Sequence, residues 1–197
     1  MHSPLLSPPR YHVLRGFLDA ELHASLLEFS IANEARFRSS LVSGGNYDST
    51  RVSRSLRDFH PAEAAFSERV RPLVPQLVAE LHIETFTPLT LELEMVTYGD
   101  GAYFRCHRDA ESDIIHASDK SARVMSAVYY FHAEPKAFSG GALRLHPDGK
   151  GAFIDIEPEQ NTLVVFPSET VHEVLPISCP SRRFSDSRFA INCWVHR

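Results

Sequence analysis

Cysteine is scarce in this chain: Cys106, Cys179 and Cys193 are the only three in 197 residues. Three thiols cannot form a disulfide framework, and their spacing is not that of a zinc site, so they read as reduced thiols of an intracellular protein. Long apolar runs are missing as well. No stretch approaches the roughly 18 residues that span a bilayer, which argues against a membrane-crossing helix. The opening Met1-His2-Ser3-Pro4-Leu5-Leu6-Ser7-Pro8-Pro9 has neither the charged start nor the apolar stretch of a secretory leader, so a cytoplasmic location is expected. Positive charge is not in excess either. Lys and Arg number 20 against 25 Asp and Glu, a net charge of −5, which gives no basic field to attract nucleic acid or an anionic membrane.

What is present is an ordinary globular composition, 43% hydrophobic and 23% charged. Residues 1–87 read as an N-terminal extension. Tyr11 to Leu14 is a first strand. Asp19 caps a helix with Leu22, Leu26, Leu27, Phe29 and Ile31 on one face. A polar segment, 39–57, containing Gly44-Gly45 reads as a mobile loop. A second helix starts near Pro61 and is bent or divided by Pro72 and Pro75. Over 88–197 only strands and turns are evident, near 90–98, 102–107, 123–131, 142–146, 152–156, 161–166, 171–177 and 188–195. Eight strands punctuated by Gly and Pro predict a mainly β protein: a double-stranded β-helix (jelly-roll) core with helices packed on one sheet and an α/β extension, in one integrated domain.

Four His-X-Asp/Glu pairs occur: His82/Glu84, His107/Asp109, His132/Glu134 and His146/Asp148. The first ends a helical pattern, the second of the remaining three runs into Pro135, and His146-Pro147-Asp148-Gly149 is a turn by composition. His107/Asp109 differs because it follows the alternating strand Leu91 to Tyr98 and the turn Gly99-Asp100-Gly101. Side chains at i and i+2 of an extended segment point the same way and can meet one ion. His172, in the apolar segment Thr170 to Leu175, supplies a third ligand. Two imidazoles and a carboxylate hold a redox-active iron(II) on one face and leave the other open. Arg188 opens the strand Phe189 to Val195 and can point inward, whereas Arg182 and Arg183 stand in a polar stretch. A guanidinium suits the far carboxylate of a small diacid such as 2-oxoglutarate.

Arg123 to His132, Ser139 to Lys150, Ile156 to Glu159 and Phe166 to Pro176 resemble the core of prolyl 4-hydroxylases, especially the hypoxia-inducible-factor type and its bacterial relatives. The likeness is densest over about 91–197; more loosely, Leu41 to Arg54 resembles the loop that closes over the substrate peptide in those enzymes. The resemblance implies iron(II) at His107, Asp109 and His172, with 2-oxoglutarate and O2 as cosubstrates and ascorbate as a candidate reductant. It implies that Arg188 and Tyr130 hold the C5 carboxylate, Tyr98 lies near the C1 end and Trp194 packs behind the cosubstrate. The pattern of Arg, aromatic, Ala, Ile, two residues and Trp falls on Arg188, with a longer spacing from His172 than in the animal enzymes. Halogenating relatives carry a small residue where Asp109 stands, so the carboxylate points to hydroxylation.

The implied reaction is oxidative decarboxylation of 2-oxoglutarate to succinate and CO2, coupled to hydroxylation of a C–H bond. A prolyl residue of a peptide or protein is the leading substrate, and Arg51, Arg54 and Arg57 in or beside the 41–55 loop read either as a clamp for an extended peptide or as a solvated basic loop. A free amino acid or small metabolite is the alternative, and a non-oxygenase cupin-like metal protein is the third reading. The segment Ala110 to Ser121 follows the ligand pair and reads as a surface connection or a lid. Oligomeric state is left open.

Overall fold

The computed structural model describes residues 8–40, 50–87, 90–110, 122–147 and 152–197. The chain enters as β1 (His12–Arg15) and turns into α1 (Ala20–Ala32), whose first turn is capped where Asp19 accepts a hydrogen bond from the Leu22 N–H at 2.9 Å. Ile31, expected on the apolar face, is exposed. Ser30 is buried instead, its hydroxyl donating to the Leu26 carbonyl at 2.7 Å. The second helical region is divided, as its prolines require: α2 (Ala62–Val70), a 3₁₀ turn at Arg71–Leu73, then α3 (Val74–Glu80). Each proline falls in the first turn of its own short segment, where the missing N–H costs nothing. No helix among the described residues is long and apolar enough to cross a membrane.

The polar segment 39–57 is not a single loop. β2 (Arg38–Ser39), β3 (Arg51–Val52) and β4 (Arg54–Leu56) lie around and within it, while 41–49, including Gly44-Gly45, fall outside the described residues. The N-terminal part therefore supplies sheet edges as well as helices. β2, β3 and β4 are two or three residues long, too short to carry a periodic signal of their own.

Most of the later strands lie close to their expected ranges, but Ser139–Gly140 was not expected as a strand and the one expected over 171–177 is divided into His172–Val174 and Ile177–Ser178. The later strands are β5 (Thr90–Tyr98), β6 (Tyr103–His107), β7 (Arg123–Phe131), β8 (Ser139–Gly140), β9 (Leu143–Leu145), β10 (Ile154–Ile156), β11 (Thr162–Pro167), β12 (His172–Val174), β13 (Ile177–Ser178) and β14 (Arg188–His196). A seven-stranded sheet runs β1-β11-β7-β14-β5-β4-β2 and faces a five-stranded sheet, β10-β9-β12-β6-β3, with every pairing antiparallel. This is the jelly-roll core.

Alternation sorts the larger sheet's side chains between two cores. Met95, Tyr129, Phe131 and Ile191 face outward and are covered by Leu26, Phe66 and Leu77 of the helices. Val96, Tyr130, Val164 and Ala190 face inward against Leu143, Leu145 and Val174 of the smaller sheet. Burying such a side chain fully contributes about 1.5–3 kcal/mol, so both faces are held firmly and the inner one can carry a polar site. Gly140 and Gly141 permit the close passage of β8 against β13. A Cβ on Gly140 would lie 2.4 Å from the Pro176 carbonyl oxygen, and both glycines have positive φ (71° and 75°).

Candidate active site

His107 ends β6 and His172 opens β12, and the two are direct cross-strand partners. A bulge between this pair and the Val174–Phe104 pair turns Phe104 and His107 to the same inner face despite their three-residue spacing. Phe104 then stacks on the His107 ring, centroids 3.6 Å apart. Asp109 follows, its N–H donating to the Ser168 carbonyl at 3.1 Å. His107 Nε2 lies 3.6 Å from Asp109 Oδ1, and His172 Nε2 lies 3.6 Å from Oδ2. All three ligand atoms fall within 4.8 Å of one another, an arrangement that can hold one metal ion.

The partners of these groups select the right atoms. His107 Nδ1 is 2.8 Å from the Arg105 carbonyl and His172 Nδ1 is 2.8 Å from the Thr170 carbonyl. A carbonyl only accepts, so each Nδ1 carries the proton and each Nε2 presents a lone pair inward. Ser126, on the inner face of β7, donates to Asp109 Oδ2 at 2.7 Å. Burial pushes His172 down to about 4, against the opposing pull of Asp109, which keeps the imidazole neutral near pH 7. Burial alone would raise the Asp109 carboxyl, but His172, His107 and the Ser126 hydroxyl hold it well below the usual carboxylate range.

Arg188 lines the same pocket and is 1% exposed. It sits across from Tyr98, and its Cζ is 4.7 Å from the rings of both Tyr98 and Tyr130. Its Nε and Nη1 have no hydrogen-bond partner, nor does the Tyr130 hydroxyl, and no carboxylate among the described residues lies within 4.0 Å of the guanidinium. Burial raises the Tyr130 phenol, while the neighbouring Arg188 charge opposes the shift. A buried cation and a buried phenol without partners are costly alone, and a carboxylate end would satisfy both. Gly141 makes room: a Cβ there would stand 3.1 Å from Arg188 Cδ.

Tyr98 and Trp194 also line this pocket, and Arg123 is stacked 4.0 Å from the Trp194 ring. The other histidine pairs are elsewhere. His82 is a helix-end residue with φ 51°, and His132 bonds its neighbour's carbonyl. Of the three arginines that read as a peptide clamp or a solvated basic loop, Arg51 is inside the pocket, paired with buried Glu94 at 3.1 Å. Arg54 and Arg57 reach Glu34, Glu92 and Glu94 at 3.5–3.7 Å. Residues 111–121, which read as a surface connection or a lid, lie outside the described residues. Sequence reasoning missed Ser126 and Asn192; the available signal was a polar residue at an inward position of an otherwise apolar strand.

Residues 93–196, which carry the triad, Arg188 and both tyrosines, match the 2OG-Fe(II) oxygenase superfamily. The chain belongs to that superfamily. Its members use iron(II), 2-oxoglutarate and O2, and the donor set here fits the metal and the unpartnered Arg188 fits the diacid. An uncharacterized PKHD-type hydroxylase of Synechocystis sp. is 30% identical over 203 residues, covering 96% of this chain and 64% of that protein. Egl nine homolog 1 of Homo sapiens is 37% identical over 75 residues, 36% of this chain and 16% of that one. The chain thus spans less than two thirds of either relative. A Pseudomonas putida prolyl-4-hydroxylase shares the fold with a TM-score of 0.69 at 24% identity, over 96% of this chain and 93% of the other. So does a Trichoplax adhaerens prolyl hydroxylase in complex with a hypoxia-inducible-factor peptide fragment, with a TM-score of 0.69 at 17% identity over 95% and 83%.

Proposed function

We propose that this oxygenase-superfamily protein is an iron(II)/2-oxoglutarate-dependent dioxygenase that hydroxylates a prolyl residue in a peptide or protein. The observation that carries the oxygenase part is one pocket holding both the His107/Asp109/His172 triad and an inward, unpartnered Arg188. The hydroxylase part is supported by the PKHD-type hydroxylase aligned over 96% of the chain. The fold shared with prolyl hydroxylases agrees with it.

In this reading His107 Nε2, His172 Nε2 and an Asp109 oxygen bind the metal. Arg188 and the Tyr130 hydroxyl take the C5 carboxylate of 2-oxoglutarate, with Tyr98 and Trp194 as further walls of the cosubstrate pocket. When bound, iron(II) with 2-oxoglutarate and O2 supplies the oxidising power to hydroxylate an unactivated C–H bond, with succinate and CO2 as coproducts. The chain's own task is positional. The Arg105 and Thr170 carbonyls fix the imidazole tautomers, Ser126 aims the carboxylate, and the apolar walls Phe104, Leu143 and Val174 limit water near the reacting centre.

Ser126→Ala removes a donor to Asp109 without touching a ligand. It is expected to weaken iron(II) affinity about 10–100-fold, read by anaerobic iron titration of the purified variant beside wild type. Substrate class is tested by mass spectrometry of proline-containing peptides and free amino acids incubated with iron(II), 2-oxoglutarate and air. A gain of one oxygen on a prolyl residue of a peptide is expected. Oxygen gain confined to a free amino acid would move the substrate to the small-molecule class.

A further inference from the structure

On the outer, solvent-facing side of the smaller sheet, a second group of ligating side chains lies back to back with the first. Cys106 precedes His107 on β6, Glu173 follows His172 on β12, and His146 follows Leu145 at the end of β9. The three strands are neighbours, β9-β12-β6, and where one residue of each points inward the next points outward. His146 Nε2 is 3.5 Å from Cys106 Sγ and 3.1 Å from Glu173 Oε1. All three ligand atoms fall within 4.8 Å of one another.

These separations suit a common ion. Sulfur, nitrogen and oxygen ligands at ordinary zinc bond lengths and tetrahedral angles stand about 3.3–3.5 Å apart. We infer that Cys106, His146 and Glu173 form a second metal site, taking a thiophilic divalent cation such as Zn²⁺ with solvent in the fourth position. Thiolate, imidazole and carboxylate together favour zinc over hard cations, which prefer all-oxygen sites. The thiol gives its proton to solvent as the metal–sulfur bond forms. The nearby cation is already engaged: Arg144 is held by Asp155 at 2.7 and 2.8 Å, and only its Nη1 approaches Glu173, at 4.0 Å. Cys106 is exposed, so metal and water can reach it. An ion there would tie together the strands that carry His107 and His172 at positions adjacent to both.

Cobalt(II) titration of the full chain tests this, because only a cysteine ligand gives the intense near-ultraviolet thiolate-to-cobalt band. Wild type should develop the band, and Zn²⁺ should bleach it. Cys106→Ser should lose the band and one equivalent of bound cobalt, and His146→Ala should weaken the affinity read from the band at least about tenfold. Asp109→Ala should keep it, which separates this site from the triad. Absence of the band in wild type, or its survival in Cys106→Ser, would overturn the proposal.

Discussion

Replacing Asp109 with alanine is expected to abolish iron-dependent turnover, by more than about two orders of magnitude, since loss of a mere supporting partner of a metal ligand already costs about 10–100-fold. The expectation rests on geometry. Asp109 is the single carboxylate of the triad, and its two oxygens are shared among His107, His172 and Ser126. Without it, two neutral imidazoles must hold a dication in a pocket where, among the described residues, no other carboxylate lines the wall and the nearby Glu94 is paired with Arg51. The variant should fold, for the backbone bond from Asp109 N–H to Ser168 does not involve the side chain. Iron binding by the purified variant, with far-ultraviolet circular dichroism as the folding control, separates lost metal from lost fold.

Arg188→Ala should raise the 2-oxoglutarate requirement by roughly 10²- to several thousand-fold, because removing one partner of a buried charge pair costs about 3–5 kcal/mol. Arg188→Lys should recover only part of the loss; an ammonium keeps the charge but not the planar fork. Arg182 and Arg183 are the natural controls. Their side chains are 80% and 72% exposed and already paired with Asp100 and Asp186. Cosubstrate titrations of the three alanine variants should therefore rank Arg188 far above the other two. A larger effect at Arg182 or Arg183 would move the diacid site into the 178–187 segment.

The sequence made most of this core legible for a specific reason. The large sheet is covered on both sides, so β5 alternates between Leu93 and Met95 under the helices and Val96 and Tyr98 toward the pocket. The candidate ligands were readable because a His-X-Asp pair after a strand is local. What escaped depends on partners distant in the chain. The burial of Arg51 follows from Glu94, on a strand 43 residues away, and nothing in the polar stretch around Arg51 announces it. Ser126 acquires its place only once β7 is in register beside Trp194 and within reach of Asp109. The bulge in β6 turns Phe104 and His107 to one side, a fact no two-residue period contains. Cys106, His146 and Glu173 are likewise ordinary in sequence and meet only through the order β9-β12-β6.

Succinate formation tests the central claim most directly. Purified protein given 2-oxoglutarate and air should release succinate when iron(II) is added, and release none when iron is withheld or when Asp109→Ala replaces wild type. Succinate formed at equal rates with and without iron, or by Asp109→Ala at the wild-type rate, would contradict the account.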